Sequence, residues 1–308
     1  MIKKDIFNHD VKAQFKAAAK DRLYRFVMAD KMIKGVAVHN TRMINEMRAN
    51  HNLGPLETLV LGQGYIAASL LSAGLKEKSD RISITVQCSG PIKGLDVEVN
   101  VFGEVRGYLK TKNIEVKPKQ NIKYLSTLYG AGFLTVTKYL DDAVTPYSGQ
   151  VALDHGSIAE DLANDFLVSE QIPTGFKLSL FFDEKDEVKG AGGIFLQAMP
   201  GAEPDAVIQA EKLIQTMDSL GQMFAEDKKA EAVIEETFSD LKPQILDSSR
   251  VEFFCRCSKE RMQGYLKGLA KEDRQDIKEN GPFPLEVTCH HCSSAYRFSK
   301  ADLGAFLS

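Results

Sequence analysis

Apolar and polar residues alternate along several segments of residues 1–201, and a period of two is typical of β-strands. Two short apolar runs between Arg22 and Val38 flank the turn-like sequence DKMIKG and predict a hairpin. Further runs with strand character predict that a sheet continues through this region: RISITVQC, LDVEVNVF, GFLTVTKYL, FKLSLFFD and KGAGGIFLQAM. The first two thirds of the chain is therefore expected to be rich in paired strands.

Helical spacing interrupts these strands in two places. Apolar residues recur every three to four positions from Leu56 to Leu75, which predicts a buried helix. The sequence from Ser157 to Glu160 matches a capping box and predicts a helix that runs to about Glu170. Because strands and helices occur in blocks rather than in strict alternation, we expect an α+β fold for residues 1–201.

The pattern changes after Pro204. No strand pattern is visible from Asp205 to Leu246, and a second helical stretch is predicted from Lys229 to Leu241, before Pro243. Apolar residues with helical spacing mark one face of the first helix: Val207, Ala210, Ile214, Met217, Gly221 and Phe224. We expect three units: an α+β core domain at 1–201, a helical linker at 202–247 and a small C-terminal module at 248–308. The linker either packs on the core permanently or covers a surface that regulation exposes.

The composition of the chain argues against several classes of function. The 308 residues carry 39 Lys and Arg against 42 Asp and Glu, a net charge of -3, so nucleic acid is not an expected partner. The first twenty residues lack the apolar run of a secretory signal, and the apolar stretch Tyr65–Leu75 is shorter than the ~20 residues that span a bilayer. Five cysteines without a signal indicate a reducing compartment. We expect a cytoplasmic protein without a membrane segment.

Motifs for common catalytic chemistry are missing from the sequence. Gly62 to Ala67 matches a loose dinucleotide pattern, but it lies inside a helical segment instead of a strand-to-helix turn. The glycines Gly190, Gly192 and Gly193 favour close strand packing over a phosphate cradle. The sequence contains no phosphate loop, nucleophile elbow or HExxH helix. We therefore expect a protein that is not an enzyme and does not use ATP.

Four of the five cysteines form a metal-ligand pattern near the C-terminus. Cys255 and Cys257 form one short-spaced pair, and Cys289 and Cys292 form a second after a module-sized loop. Such pairs supply the corners of a tetrahedral zinc site, so one Zn²⁺ per chain is predicted. His290 and His291 are alternative ligands. Several basic residues are expected to balance the thiolate charge: Arg256, Lys259, Arg261, Arg297 and Lys300.

The cysteine pattern does not favour a role for the fifth cysteine or for two other classes of cysteine protein. Cys88 lies in a strand pattern and is expected to be structural. A nucleic-acid-binding zinc ribbon is disfavoured because the tail has no basic stripe with interleaved aromatic residues. A thiol oxidoreductase is disfavoured because Cys289 follows a strand-like segment and does not open a helix.

The segments CRCSKERM and VTCHHCSSAYRF resemble the redox switch of the thirty-three-kilodalton heat-shock protein family of chaperones. The resemblance extends from about Arg22 to Leu303 through segments that occur in the same order: GPIKGLDVEVN, AGFLTVTK, IAEDLANDFLVSEQIPT and AGGIFLQAMPGA. The sequence departs from the family at Ser293, where glycine is common, at Pro282–Pro284, and in an extended stretch of twenty N-terminal residues.

The resemblance implies a redox-regulated, ATP-independent holdase that binds unfolding or oxidatively damaged proteins and prevents their aggregation. It also implies that oxidation forms the disulfides Cys255–Cys257 and Cys289–Cys292 with release of zinc, and that the oxidised protein is a homodimer. Zinc-bound thiolates are oxidisable, which agrees with such a switch. The alternative is a constitutive zinc-stabilised binding protein whose cysteines do not cycle.

Overall fold

The structure is a computed structural model that describes residues 1–114 and 125–307. Its strands are β1 (Arg22–Met28), β2 (Ile33–His39), β3 (Arg81–Cys88), β4 (Gly94–Asn100), β5 (Glu104–Leu109), β6 (Gly132–Tyr139), β7 (Tyr147–Ala152), β8 (Thr174–Phe182), β9 (Val188–Ala198), β10 (Gln244–Arg250), β11 (Glu252–Phe253), β12 (Leu285–Thr288) and β13 (Ala295–Phe298). Its α-helices are α1 (Val11–Lys20), α2 (Thr41–His51), α3 (Pro55–Leu71), α4 (Ser126–Tyr129), α5 (Ile158–Asp165), α6 (Pro204–Thr216), α7 (Leu220–Ala225), α8 (Ala230–Thr237), α9 (Lys259–Lys267), α10 (Lys271–Asn280) and α11 (Lys300–Phe306).

The strands form three sheets. A five-stranded sheet has the order β10-β1-β2-β9-β8, a six-stranded sheet has the order β11-β5-β4-β3-β6-β7, and β12 pairs with β13. All neighbours are antiparallel except β11 and β5. The predicted hairpin is present, with Arg22 opposite His39 and Met28 opposite Ile33. The predicted α+β class is confirmed.

Helix α3 contacts both large sheets and fills the space between them. Its sequence is apolar on nearly every side, and Tyr65 and Ile66 are completely buried. Together with a 3-10 turn it extends to Gly74, which is long and apolar enough to cross a membrane by length and composition alone. Because 78% of that window is buried inside the fold, the helix has the character of a core helix.

The helices α6, α7 and α8 cover the other face of the five-stranded sheet. Ile214 and Phe224 pack there against Phe26 and Ile194 in a second apolar cluster. The predicted amphipathic face is therefore confirmed, although Ser219 caps α7 and separates it from α6. The prediction of no strand before Leu246 is wrong, because β10 begins at Gln244 and pairs with β1. This edge strand is largely exposed and carries little apolar pattern.

Close backbone contact explains two of the glycines in β9. A Cβ on Gly190 would lie 1.8 Å from the Gly221 carbonyl oxygen of α7, and one on Gly192 would lie 2.3 Å from the Phe224 ring. The interpretation of these glycines as packing positions is confirmed. The predicted capping box is not formed: Ser157 makes no side-chain cap, and Asp161 accepts from its backbone nitrogen instead. The helix itself extends to Glu170 through a π-helical turn.

Candidate metal centre

Two short connections bring the cysteine pairs together. Cys255 and Cys257 lie in the segment that follows β11, and Cys289 and Cys292 lie in the turn between β12 and β13. The turn is fixed by backbone hydrogen bonds from Cys289 to the Ser294 carbonyl and from Ser293 to the Cys289 carbonyl. Ser293 has φ 53°, in the left-handed region that favours glycine. This explains why a glycine suits the position after the last cysteine.

The four sulfur atoms form a compact buried cluster. All lie within 4.8 Å of one another, with 3.8 Å between Cys255 Sγ and Cys289 Sγ and 3.4 Å between Cys257 Sγ and Cys292 Sγ. Zn–S bonds of about 2.3 Å in a tetrahedron require sulfurs about 3.8 Å apart, whereas a disulfide requires about 2.05 Å. The cysteines are free thiols. The arrangement is therefore one that could hold a tetrahedral metal ion.

Neither neighbouring histidine belongs to the cluster. Among residues 1–114 and 125–307, the possible ligand group at this place consists of the four cysteines. His290 and His291 contact the Tyr108 ring instead, with centroid separations of 3.8 and 5.6 Å. Because the four sulfurs already supply four corners, the alternative ligands are not needed for a complete tetrahedral set.

The thiols perturb one another strongly. The pKa of Cys255 lies far below its ordinary value because the Cys289 and Cys292 thiols donate to its sulfur. For the same reason the pKa values of Cys289 and Cys292 are raised above their ordinary range. Several thiolates this close repel one another in a buried place unless a cation lies among them. The donor set thus fits a thiophilic dication.

A basic residue of the core domain contacts the thiols. Arg106 of β5 donates from Nη1 to Cys255 Sγ at 3.8 Å and from Nη2 to Glu98 at 2.8 Å. Arg106 cannot be identified from the sequence, because it is one polar residue in an alternating strand and lies 149 positions from Cys255. Within the part of the chain that the structure describes, Arg106 is the basic residue whose side chain donates to a cysteine sulfur.

The basic residues predicted to balance the thiolates have other roles. Arg256 donates to both carboxylate oxygens of Glu104, at 2.7 and 3.0 Å, although it lies between two of the cysteines in sequence. Lys259 pairs with Asp302, and Arg297 pairs with Glu286. Arg261 donates to the Arg256 carbonyl, and Lys300 lies over the Phe283 ring. The expectation of direct charge balance from these five residues is not confirmed.

Polar groups also surround the other sulfurs. The Tyr296 hydroxyl donates to the Cys257 carbonyl at 3.0 Å and lies 3.2 Å from Cys257 Sγ. The Ser294 hydroxyl lies 3.2 Å from Cys292 Sγ. Such contacts help to orient the sulfurs.

The segment predicted to form the C-terminal module is docked on the six-stranded sheet by its own strand, β11. β11 extends the six-stranded sheet beside β5, where Phe254 donates to the Val105 carbonyl and Gly107 donates to the His291 carbonyl. Phe253 is completely buried and lies near the Tyr65 ring of α3, at 6.1 Å between centroids. The cysteine centre therefore lies at the interface between the module and the core, not on a separate tail.

Cys88 lies in β3, opposite Gly132 of β6, and is not part of the cluster. Burial raises the pKa of its thiol, so it is a poor thiolate. The glycines of Gly62 to Ala67 lie inside α3, as expected from the helical pattern. Cys88 is therefore distinct from the four clustered cysteines, as predicted.

The chain resembles proteins of known family along most of its length. The family model described as Hsp33 protein matches residues 21–299. A 33 kDa chaperonin of Agathobacter rectalis is 36% identical over 92% of this chain and 98% of its own length. One from Acetivibrio thermocellus is 33% identical over 92% of this chain and 96% of its own length.

A solved structure supports the same assignment. The crystal structure of the 33 kDa chaperonin (heat shock protein 33 homolog) of Thermotoga maritima matches with a TM-score of 0.84 and 31% identity. The match covers 94% of this chain and 98% of that chain, so it includes both sheets and the cysteine module. The chain therefore belongs to the Hsp33 family of chaperones.

Proposed function

We propose that this protein is a redox-regulated, ATP-independent holdase that binds unfolding or oxidatively damaged proteins and prevents their aggregation. The observation that carries the proposal is the cluster of four buried, free thiols at the interface between the C-terminal module and the core. A permanently active protein would use the same four thiols only as ligands of a structural zinc. At this interface, however, a change in the oxidation state of the thiols would also change how the module docks, which is what a switch requires.

We propose that Cys255, Cys257, Cys289 and Cys292 bind one Zn²⁺ per chain in the reduced protein. Bound zinc would supply the positive charge that keeps the four sulfurs ionised and together. Parts of the module bury no residue completely: α10 has no buried residue, and the residues of β12 alternate between half-buried and exposed. Structural zinc contributes roughly 10 to 16 kcal/mol of apparent binding free energy to such modules, so its fold depends on the thiols.

Oxidation of the thiols is the proposed signal. A peroxide would take two electrons from the two thiolates of each cysteine pair and two protons from the solvent, forming one S–S bond per pair and two molecules of water. We propose the pairs Cys255–Cys257 and Cys289–Cys292, which the family resemblance implies. A sulfur in a disulfide is a poor ligand, and an S–S bond of about 2.05 Å is much shorter than the separation of about 3.8 Å between two sulfurs at corners of a tetrahedral zinc site. Oxidation therefore dismantles the cluster.

The linker is the surface that we expect the switch to uncover. Ile214, Phe224, Val233 and Phe238 are buried against the five-stranded sheet. Loss of order in the module removes β11 from the sheet edge and frees the chain that follows β10. Exposed apolar residues of the linker and the sheet would then bind the apolar segments of unfolded proteins, and the same surfaces would support a homodimer.

We also make proposals about the domain division, the compartment and the partners of the protein. We propose the division into a core domain (1–201), a linker (202–247) and a redox-switch module (248–308), although β10 (Gln244–Arg250) crosses the boundary between the last two. We also propose that the protein is not an enzyme, that it acts in the cytoplasm, and that nucleic acid, membranes and ATP are not its partners.

A peroxide titration tests the function. Zinc release, thiol content and suppression of client aggregation are measured on the same sample at a temperature that unfolds a client protein. We expect all three to change together, and reduction with added zinc to reverse them. Equal suppression by the reduced, zinc-bound protein would favour the constitutive zinc-stabilised binding protein. Addition of ATP is expected to have no effect in either state.

A further inference from the structure

Residues 1–20 lie outside the segment that matches the family model, which begins at residue 21. They nevertheless contact the cysteine module. The Ile2 nitrogen donates to Ser294 Oγ at 2.9 Å, and Ser294 Oγ donates back to the Ile2 carbonyl at 2.9 Å. The Met1 nitrogen donates to the Cys257 carbonyl at 2.9 Å. The first residues of the chain are therefore bonded to both halves of the cysteine centre.

The same residues are bonded to the core domain. Lys3 Nζ contacts Glu46 Oε2 of α2 at 2.6 Å, and the Lys4 nitrogen donates to Asn50 Oδ1 at 2.8 Å. Glu46 is 4% exposed, so this ion pair is shielded from solvent on the carboxylate side. Residues 1–4 therefore hold the module on one side and α2 on the other.

Asn50 joins the three parts. Its side chain is buried and uses both ends of the amide: Oδ1 accepts from Lys4, while Nδ2 donates to the Ile2 carbonyl at 3.0 Å and to the Cys292 carbonyl at 2.9 Å. Removal of the N-terminal residues would leave Oδ1 of a buried amide without this donor. An unsatisfied buried polar group is costly, so these bonds favour the docked module.

The N-terminal segment continues to the linker. Its helix, α1, buries none of its residues, and Phe15 is 72% exposed. A cavity of about 790 Å³ lies between α1 and the core, and its lining includes Leu53 and Phe224. At the end of α1, Lys20 Nζ bonds to Asp227 Oδ1, at 2.6 Å, in the connection between α7 and α8. The segment is therefore held mainly at its two ends, one at the module and one at the linker.

We propose that residues 1–20 are an N-terminal strap that latches the C-terminal module to the core in the reduced protein. Disorder of the module removes the partners of residues 1–4, and the strap is then held mainly at the linker end. The linker thereby loses a cover over Phe224 at the same time as the module is released. This regulatory role rests on the proposed function, but the contacts of the strap are measurable without it.

Lys4→Pro tests the latch in the full-length, zinc-loaded reduced protein. Proline removes the nitrogen-bound hydrogen that Asn50 accepts, whereas Lys4→Ala keeps it and removes only an exposed side chain. Loss of one such bond is expected to speed amide exchange of Cys255, Cys257 and Gly107 about fivefold, while Lys4→Ala leaves these rates unchanged. Unchanged protection in β3 (Arg81–Cys88) shows that the core remains folded.

A second variant tests the linker end of the strap. Lys20→Gln removes the exposed ion pair to Asp227 and is expected to speed exchange in α7 (Leu220–Ala225) by a smaller factor, about twofold, without affecting Cys255. Equal exchange in Lys4→Pro, Lys4→Ala and the unmodified chain would overturn the latch. If oxidation produces no client-binding activity, the proposed function is refuted, whatever the exchange rates are. With both ideas correct, Lys4→Pro also activates at a lower peroxide concentration than Lys4→Ala.

Discussion

The backbone of Gly190 in β9 touches the backbone of Gly221 in α7, so closely that a Cβ on Gly190 would lie 1.8 Å from the Gly221 carbonyl oxygen. A Cβ on Gly221 would in turn lie 2.7 Å from the Phe181 nitrogen of β8. The linker therefore docks through direct backbone contact, and no side chain at either position fits. A close backbone contact of this kind tolerates no added side-chain atoms, so the docking of the linker is sensitive to small changes at these two positions.

Gly221→Ala is expected to loosen the linker. The added methyl group meets β8 backbone, and overpacking of this kind costs about 1 to 3 kcal/mol. We expect faster amide exchange in α7, binding of an apolar dye, and partial suppression of client aggregation before any oxidation. Gly264→Ala in α9 is the matched control, because nothing lies within 4 Å of its Cβ position. Dye binding equal in the two variants would contradict a docked linker at this position.

Zinc binding is expected to require the cysteine cluster and not Cys88. Replacing Cys289 and Cys292 with serine removes two of the four sulfurs, and we expect the purified reduced protein to retain less than about one tenth of its zinc. Cys88→Ser is expected to keep one zinc per chain, because Cys88 lies in β3 outside the cluster. Metal analysis of both variants checks the prediction. Full zinc content in the double variant would refute it.

Arg106 is expected to stabilise the metal-bound thiolates. Arg106→Gln removes a half-buried charge that donates to Cys255, and hydrogen bonds to charged groups contribute about 1.5 to 3 kcal/mol. Zinc retention against a chelator should therefore weaken roughly tenfold or more, since 1.4 kcal/mol is a factor of ten. Arg256→Gln is the control, because Arg256 bonds to Glu104 rather than to a sulfur. Comparable zinc loss in the two variants would mean that docking, and not charge at the sulfur, sets the affinity.

The sequence was sufficient to predict the cysteine centre because the pattern that identifies this centre is local in the sequence. Two short-spaced cysteine pairs are visible without knowledge of the fold, and the structure places all four sulfurs within 4.8 Å. Arg106 could not be found in the same way, since only the pairing of β11 with β5 brings it to Cys255. Likewise Arg256 is a neighbour of Cys255 in sequence but extends toward Glu104.

The strands were likewise predictable only where their burial leaves a pattern in the local sequence. The inner strands were visible because alternating burial leaves an alternating pattern, as in β3 and β4. β10 was missed because it is an exposed edge strand, held by backbone pairing with β1. The sequence shows the N-terminal strap only as an extension, because the bonds of the strap are made largely by backbone atoms and by Asn50, which no sequence pattern singles out.

His39 is expected to make the folded protein sensitive to acid. It lies in β2 with its ring 4.3 Å from that of Phe224, and burial, with a smaller contribution from Lys20, lowers its pKa from 6.5 to about 4. Asp227 opposes the shift weakly. As the pH falls below 6.5 the unfolded chain binds a proton at this residue before the folded chain does. Stability is therefore lost between about pH 6.5 and pH 4.

The expected loss at His39 is about 2 kcal/mol between pH 7 and pH 5, since each pKa unit corresponds to about 1.4 kcal/mol. Urea unfolding of the protein and of His39→Gln at both pH values measures it. Between pH 7 and pH 5, the free energy of unfolding of His39→Gln should fall by that amount less than the free energy of unfolding of the unmodified chain. His155→Gln, which replaces an exposed residue, should show the same fall as the unmodified chain. Because His51 and the cysteine centre are present in every protein compared, their own pH dependence cancels in the difference. Parallel losses in all three would show that His39 takes up its proton in the folded state as readily as in the unfolded chain, and that its contact with Phe224 does not depend on a neutral ring.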